Sequence, residues 1–176
     1  MKKILLLIGL LCLLVVTKAQ PVRDQVEETY LSYVGVRELT GHNDGQEVEA
    51  YLQSTGLGKG YAWCAAYVNY CLISCDVETP KGAAWSPNWF PENKIVYKRG
   101  NDLNYNPRKG DVFGIYFSNK HRIAHVGFIH YWRQGDDYAV TVEGNTNNAG
   151  SREGDGVYKK RRLKRQIYEV ANWIDT

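Results

Sequence analysis

Cys64, His125, Glu143 and Asn145 are the residue types that together can open an amide bond. Cys64 lies in GYAWCAAYVNYCL, residues 60–72, where small and aromatic residues surround the thiol and Asn69 is the only strongly polar member. A cysteine just inside a helix start meets unpaired backbone N–H groups and the positive end of the helix dipole, and both favour thiolate. A thiolate nucleophile needs a base within about 3 Å and a third group that orients the base. Of the four histidines, His42 falls in a glycine-bounded turn and His121 in the polar stretch SNKHR. His125 and His130 share one predicted strand but, five residues apart, point to opposite sides of it.

Strand pairing selects between them. AHVGFIHYW and DYAVTVEGN are predicted to form a hairpin turning near Gly135. With His125 opposite Glu143, Val126 meets Val142 and Phe128 meets Val140 on the other face. Sliding by two residues puts His125 opposite Asn145 and keeps the same faces, whereas a slip of one mixes polar and apolar sides. In either acceptable register His125, Glu143 and Asn145 share a face, so a carboxylate and an amide flank the base. A cross-strand ion pair without chemistry gives the same pattern; the cysteine at a helix start is what favours catalysis.

The elements that must hold these groups are legible from periodicity. Val22, Val26, Tyr30 and Val34 recur every four residues and predict an opening amphipathic helix. Gly41–Gly45 ends it, and Asn43 or Asp44 is expected to cap a second helix carrying Val48, Tyr51 and Leu52 on one face. The helix beginning at Cys64 is apolar nearly all round and must be buried on most sides. Residues 79–110, rich in proline, are expected to form an irregular wall. Beyond Gly110, DVFGIYF, AHVGFIHYW, DYAVTVE and, less clearly, GVYKK and QIYEVANWI read as strands. Helices followed by antiparallel strands imply an α+β fold.

Composition bounds the setting. Lys2 and Lys3 precede an apolar run from Ile4 to Val16 that ends in Thr17-Lys18-Ala19. That run is shorter than the roughly 20 residues of a membrane helix, and the pattern is that of a secretory signal peptide, 1–19, cut after Ala19. Removing Lys2, Lys3 and Lys18 from the 22 basic residues leaves 19 against 19 acidic ones, a near-neutral chain of one domain, 20–176. Nucleic-acid binding is not expected of such a chain. Cys12 leaves with the leader, and the remaining Cys64, Cys71 and Cys75 are odd in number, which in an exported protein points to a leftover thiol that either pairs between chains or reacts. Cys71 and Cys75 read as small buried hydrophobes. No cysteine or histidine spacing suits zinc.

NDGQEVEAYL, GYAWCAAYVNYCL, PRKGDVFGIYF, RIAHVGFI and VEGNTN, in that order and spacing, resemble the CHAP amidohydrolases and peptidases, papain-like cysteine enzymes that cut peptidoglycan. The resemblance runs from about Val34 to Trp173. It implies a papain-like α+β fold, N-terminal helices on an antiparallel sheet, with Cys64 as nucleophile, His125 as base and then acid, Glu143 orienting the imidazole and Asn145 assisting. It implies no cofactor, and HNDGQEVE lacks the oxygen-ligand array with which some members bind calcium, so no metal is expected. A secreted or periplasmic monomer acting on peptidoglycan follows, as amidase or endopeptidase; the alternative is an inactive wall-binding protein of the same fold. Tyr61, Trp63, Trp85, Trp89 and Arg152 are candidates to line the substrate groove. The run KKRRLKR, 159–165, reads as a solvated edge strand, or as a contact for anionic wall polymers or lipopolysaccharide.

Overall fold

The computed structural model describes residues 20–101, 105–148 and 154–175. The leader assigned to 1–19, and Arg152, lie outside the described residues. Helices α1 (Val22–Ser32), α2 (Gln46–Gln53) and α3 (Cys64–Ile73) come first. Strands β1 (Ile95–Lys98), β2 (Val112–Phe117), β3 (Arg122–Trp132), β4 (Tyr138–Thr146), β5 (Gly156–Leu163) and β6 (Glu169–Ala171) follow. All pair antiparallel in one sheet of order β1-β6-β2-β3-β4-β5. The architecture is α+β and compatible with a papain-like arrangement.

The helices form where the apolar spacing requires them. Val26 and Tyr30 on α1, and Val48, Tyr51 and Leu52 on α2, are fully buried. Eight of the ten α3 residues are buried, so α3 runs through the centre of the larger core. Its lone amide, Asn69, donates to the Ser54 carbonyl at 3.1 Å and so ties α3 to the end of α2. Tyr30 stacks on Phe128 with centroids 4.8 Å apart, and Tyr67 donates its hydroxyl to the Tyr30 carbonyl at 2.7 Å. These contacts fix α1 and α3 against β3.

Three expectations need correction. Neither Asn43 nor Asp44 caps α2: the N-cap is Gly45, Asn43 adopts a left-handed φ of 56°, and Asp44 accepts from Thr40 instead. The wall segment contains β1, a four-residue half-buried edge strand whose IVYK lacks the alternation that announces a strand. The last predicted strand shrinks to Glu169–Ala171.

On the side of His125 the β3–β4 hairpin takes the second of the two predicted registers, with Phe128 opposite Val142 and Ile129 opposite Thr141; towards the turn an irregularity between Ile129 and Tyr131 shifts it by the one residue that was not expected, pairing Tyr131 with Val140 and Trp132 with Ala139. Continued along the ladder, this places Asn145 rather than Glu143 opposite His125. Gly127, next to His125, then faces Glu143; a Cβ there would lie 2.8 Å from the Val142 carbonyl oxygen and 3.0 Å from Glu143 Cγ. Glycine leaves the space that the Glu143 side chain fills. The β2–β3 ladder is broken between Ile115 and Tyr116, where Ile115 pairs with His125 but Tyr116 with Ile123. A bulge of this kind re-aims neighbouring side chains.

Candidate active site

Cys64 is the first residue of α3, and no side chain caps that helix or puts an acid in its first turn. The positive end of the helix is therefore left to the sulfur itself. Trp63, just ahead of it, is pinned: its Nε1 donates to Glu38 Oε1 at 2.8 Å, while Glu38 Oε2 accepts from the Asn43 backbone N–H at 2.9 Å. Ala65, Ala66 and Tyr67 are all buried. The nucleophile candidate is thus held from both sides along the chain, as accurate attack requires. Its sulfur meets the His125 imidazole and the Val126 backbone N–H, with Ser86 Oγ 3.9 Å away.

His125 donates from Nε2 to Glu143 Oε2 at 2.8 Å, which leaves Nδ1 to face the sulfur. Its ring also meets Phe113 edge-on at 6.3 Å. Glu143 is fully buried and saturated: Oε1 accepts from Thr141 Oγ1 at 2.6 Å and Arg162 Nε at 2.7 Å, and Oε2 accepts from His125 and from Arg162 Nη2 at 2.5 Å. A carboxylate with this many donors stays ionised and orients rather than titrates.

Electrostatics follow from this packing. Burial alone raises a thiol, yet the Cys64 pKa is lowered, because hydrogen bonding and charge from His125, the Val126 N–H and the Ser86 hydroxyl outweigh desolvation. Burial likewise opposes a charged imidazole, but hydrogen bonds to Cys64 and Glu143 win and raise His125 to about 9. Desolvation opposes the Glu143 charge as well; His125 and Arg162 overcome it and lower its pKa well below the carboxylate range. Both shifts favour the thiolate–imidazolium pair over the neutral one, with a carboxylate behind it.

The other candidates are distributed unevenly. Asn145 has a left-handed φ of 51° and donates to Asn43 Oδ1 at 3.4 Å rather than to the imidazole, whose Nε2 Glu143 occupies. It lines the groove beside His125 and does not orient it. Trp63 and Trp89 are fully buried, Trp89 donating to the Ala83 carbonyl and packing on Trp173, so neither lines a groove. Tyr61 and Trp85 are exposed, 58% and 50%, and Trp85 immediately precedes Ser86. The Arg122 guanidinium lies 3.9 Å over the Trp85 ring. Cys71 and Cys75 are free; Cys71 is buried and its thiol pushed well up by desolvation, and Cys75 Sγ lies 3.2 Å from Thr29 Oγ1.

Sequence reasoning missed Arg162, Thr141, Ser86 and Glu38. Alternation along β5 was the available signal for Arg162, since Lys159 and Arg161 are exposed while Lys160 and Arg162 are partly buried. Half of the basic run thus turns inward instead of lying in solvent. Among the described residues, no three His, Cys, Asp or Glu side chains group so as to hold a metal ion.

No curated protein and no solved structure matches the chain significantly. A family model described as the CHAP domain matches residues 56–145, just over half of the sequence, a span that contains Cys64, His125, Glu143 and Asn145. The chain therefore belongs to the CHAP domain family, whose members are in general cysteine- and histidine-dependent amidohydrolases or peptidases and which points to peptidoglycan as substrate.

Proposed function

We propose that this protein is an exported peptidoglycan hydrolase, secreted or periplasmic, that cleaves an amide bond as an N-acetylmuramoyl-L-alanine amidase or a peptidoglycan endopeptidase. The observation that carries the reading is the 2.8 Å His125–Glu143 bond beside a sulfur at an uncapped helix start. The Cys64 thiolate attacks the carbonyl carbon and a C–S bond forms, with the Cys64 backbone N–H at the positive helix end stabilising the oxyanion. The C–N bond then breaks as His125 passes its proton to the departing nitrogen. Water attacks the thioester, His125 takes its proton, and the acid product leaves with the thiolate regenerated. Glu143, clamped by Arg162, keeps the imidazole aligned throughout.

Digestion of purified wall tests this: wild type is expected to release amine- and acid-ended fragments, and Cys64→Ala none. The alkylation rate of Cys64 against pH supplies the second measurement. It is expected to persist below the ordinary thiol range and to change again near pH 9 as His125 loses its proton. Hydrolysis is expected to decline above about pH 9, where the imidazolium needed by the leaving group is gone. A thiol titrating at its ordinary value, with wall binding intact and no fragments, identifies an inactive wall-binding protein instead.

A further inference from the structure

Next to His125 opens a groove of about 820 Å³ whose walls include His125, Asn145, Arg99, Lys120, Lys160 and Arg165 but not Cys64. Among the described residues, no aspartate or glutamate lines it. Charge balance within the catalytic cluster is already closed, because Arg162 and the imidazolium face Glu143 and the thiolate. The remaining four cations are in excess: among the described residues, none of Arg99, Lys120, Lys160 and Arg165 forms an ion pair with a carboxylate. Lys160 is held inward by neutral acceptors only, Thr146 Oγ1 at 3.2 Å and the Asn147 carbonyl, and Arg99 donates to the Arg165 carbonyl at 2.8 Å. Lys160 pairs with Thr141, one inward-facing position along β4 from Glu143.

The chemistry fixes which part of a substrate enters. His125 must protonate the departing nitrogen, so that nitrogen lies against the imidazole and its fragment extends away from the sulfur. A groove that touches the imidazole and not the sulfur is where that fragment goes. We propose that this groove is the leaving-group subsite and that it selects a carboxylate carried by the amine-side fragment of the substrate. The assignment rests on the amide-cleaving reading above. A peptide supplies such a carboxylate from its C-terminal end or from a side chain, and both suit a cluster of Lys and Arg donors.

The test uses the full chain with Cys64→Ala, so that nothing turns over, and three short peptides bearing the free amine of the leaving fragment. One carries only a C-terminal carboxylate, one only a side-chain carboxylate, and one has both amidated. Affinities are measured by NMR titration at low and high salt. At least one acid peptide is expected to bind about tenfold or more tightly than the diamide, the size of one charge-assisted contact, and to lose that advantage in salt. The preferred peptide tells whether the chain end or the side chain is read. Adding Lys160→Gln and Arg165→Gln together is expected to abolish the preference, and Arg165→Gln alone, at an exposed position, to reduce it. Equal affinity for acid and diamide peptides, binding of none of them, or a preference that survives the double substitution overturns the subsite. Alkylation of wild-type Cys64 is the separate readout of the catalytic centre, so a reactive thiolate without carboxylate preference refutes the subsite alone.

Discussion

Glu143 is the residue on which the candidate site turns, because its four accepted hydrogen bonds join three strands: Thr141 from its own strand, His125 from β3 and Arg162 from β5. Arg162→Met removes the cation and leaves a buried carboxylate with the imidazole as its only charged partner. Breaking such a pair costs about 3–5 kcal/mol. Chemical denaturation is expected to show a loss of that size, with hydrolysis falling further as His125 loses its fixed orientation. Unchanged stability and rate would show that Arg162 does not hold Glu143. Cys64, His125 and Glu143 were legible as residues because thiol, imidazole and carboxylate are rare in this combination. Arg162 was not, since in the sequence it is one cation among six in KKRRLKR; only the inward turn of alternate β5 side chains separates it from its neighbours.

At the scale of elements, the distance between the sulfur on α3 and the imidazole on β3 is set by how closely the start of α3 lies on the β3–β4 hairpin. Gly144 permits that approach: a Cβ there would stand 2.8 Å from Trp63 Cζ3 and from Tyr67 Cβ. Gly144→Ala must therefore push the start of α3 away from the sheet. Overpacking of this kind costs roughly 1–3 kcal/mol. The predicted outcome is a modest fall in stability by denaturant titration and a much larger fall in kcat, since Cys64 sits on the displaced turn. An equal effect on both would show that the approach serves packing only. The helices and the main strands were readable from their periods, and the hairpin register was narrowed to two choices by burial. The choice between those two was not readable, because both keep the same residues inside. Room for the Glu143 side chain at Gly127, and the broken ladder beside His125, belong to the register the sheet adopts.

For the whole molecule, stability against pH follows from what is buried. Where Cys64 is already ionised and His125 still protonated, below about pH 9, the pair contributes little slope, since the imidazole holds in the folded state the proton that the thiol gives up. Glu143, with its pKa lowered, contributes stability that is present above its ordinary range and is lost as pH falls through its folded value. Cys71, Tyr30, Tyr51 and Tyr67 are all raised, first of all by desolvation, so the unfolded chain ionises before the folded one does. Their contribution is fully present below the unfolded values and declines above about pH 9–10. The urea midpoint is accordingly expected to hold near neutrality and to fall steeply at alkaline pH; Cys71→Ala, which removes one such group, flattens the first part of that fall. An alkaline limb with the same slope in both proteins would show that the Cys71 thiol is not kept neutral by burial. What the sequence by itself determined was the family, the residue types available to the candidate site and the scaffold that carries them, because residue types and apolar periods are local properties of the chain. The tertiary structure alone decided that Arg162 holds Glu143 while Asn145 turns to Asn43, that Trp63 and Trp89 are core, and that basic residues from β5 and from the segments after β1, β2 and β5 gather round one groove. Those outcomes depend on pairing between residues far apart in sequence, and no single segment encodes them.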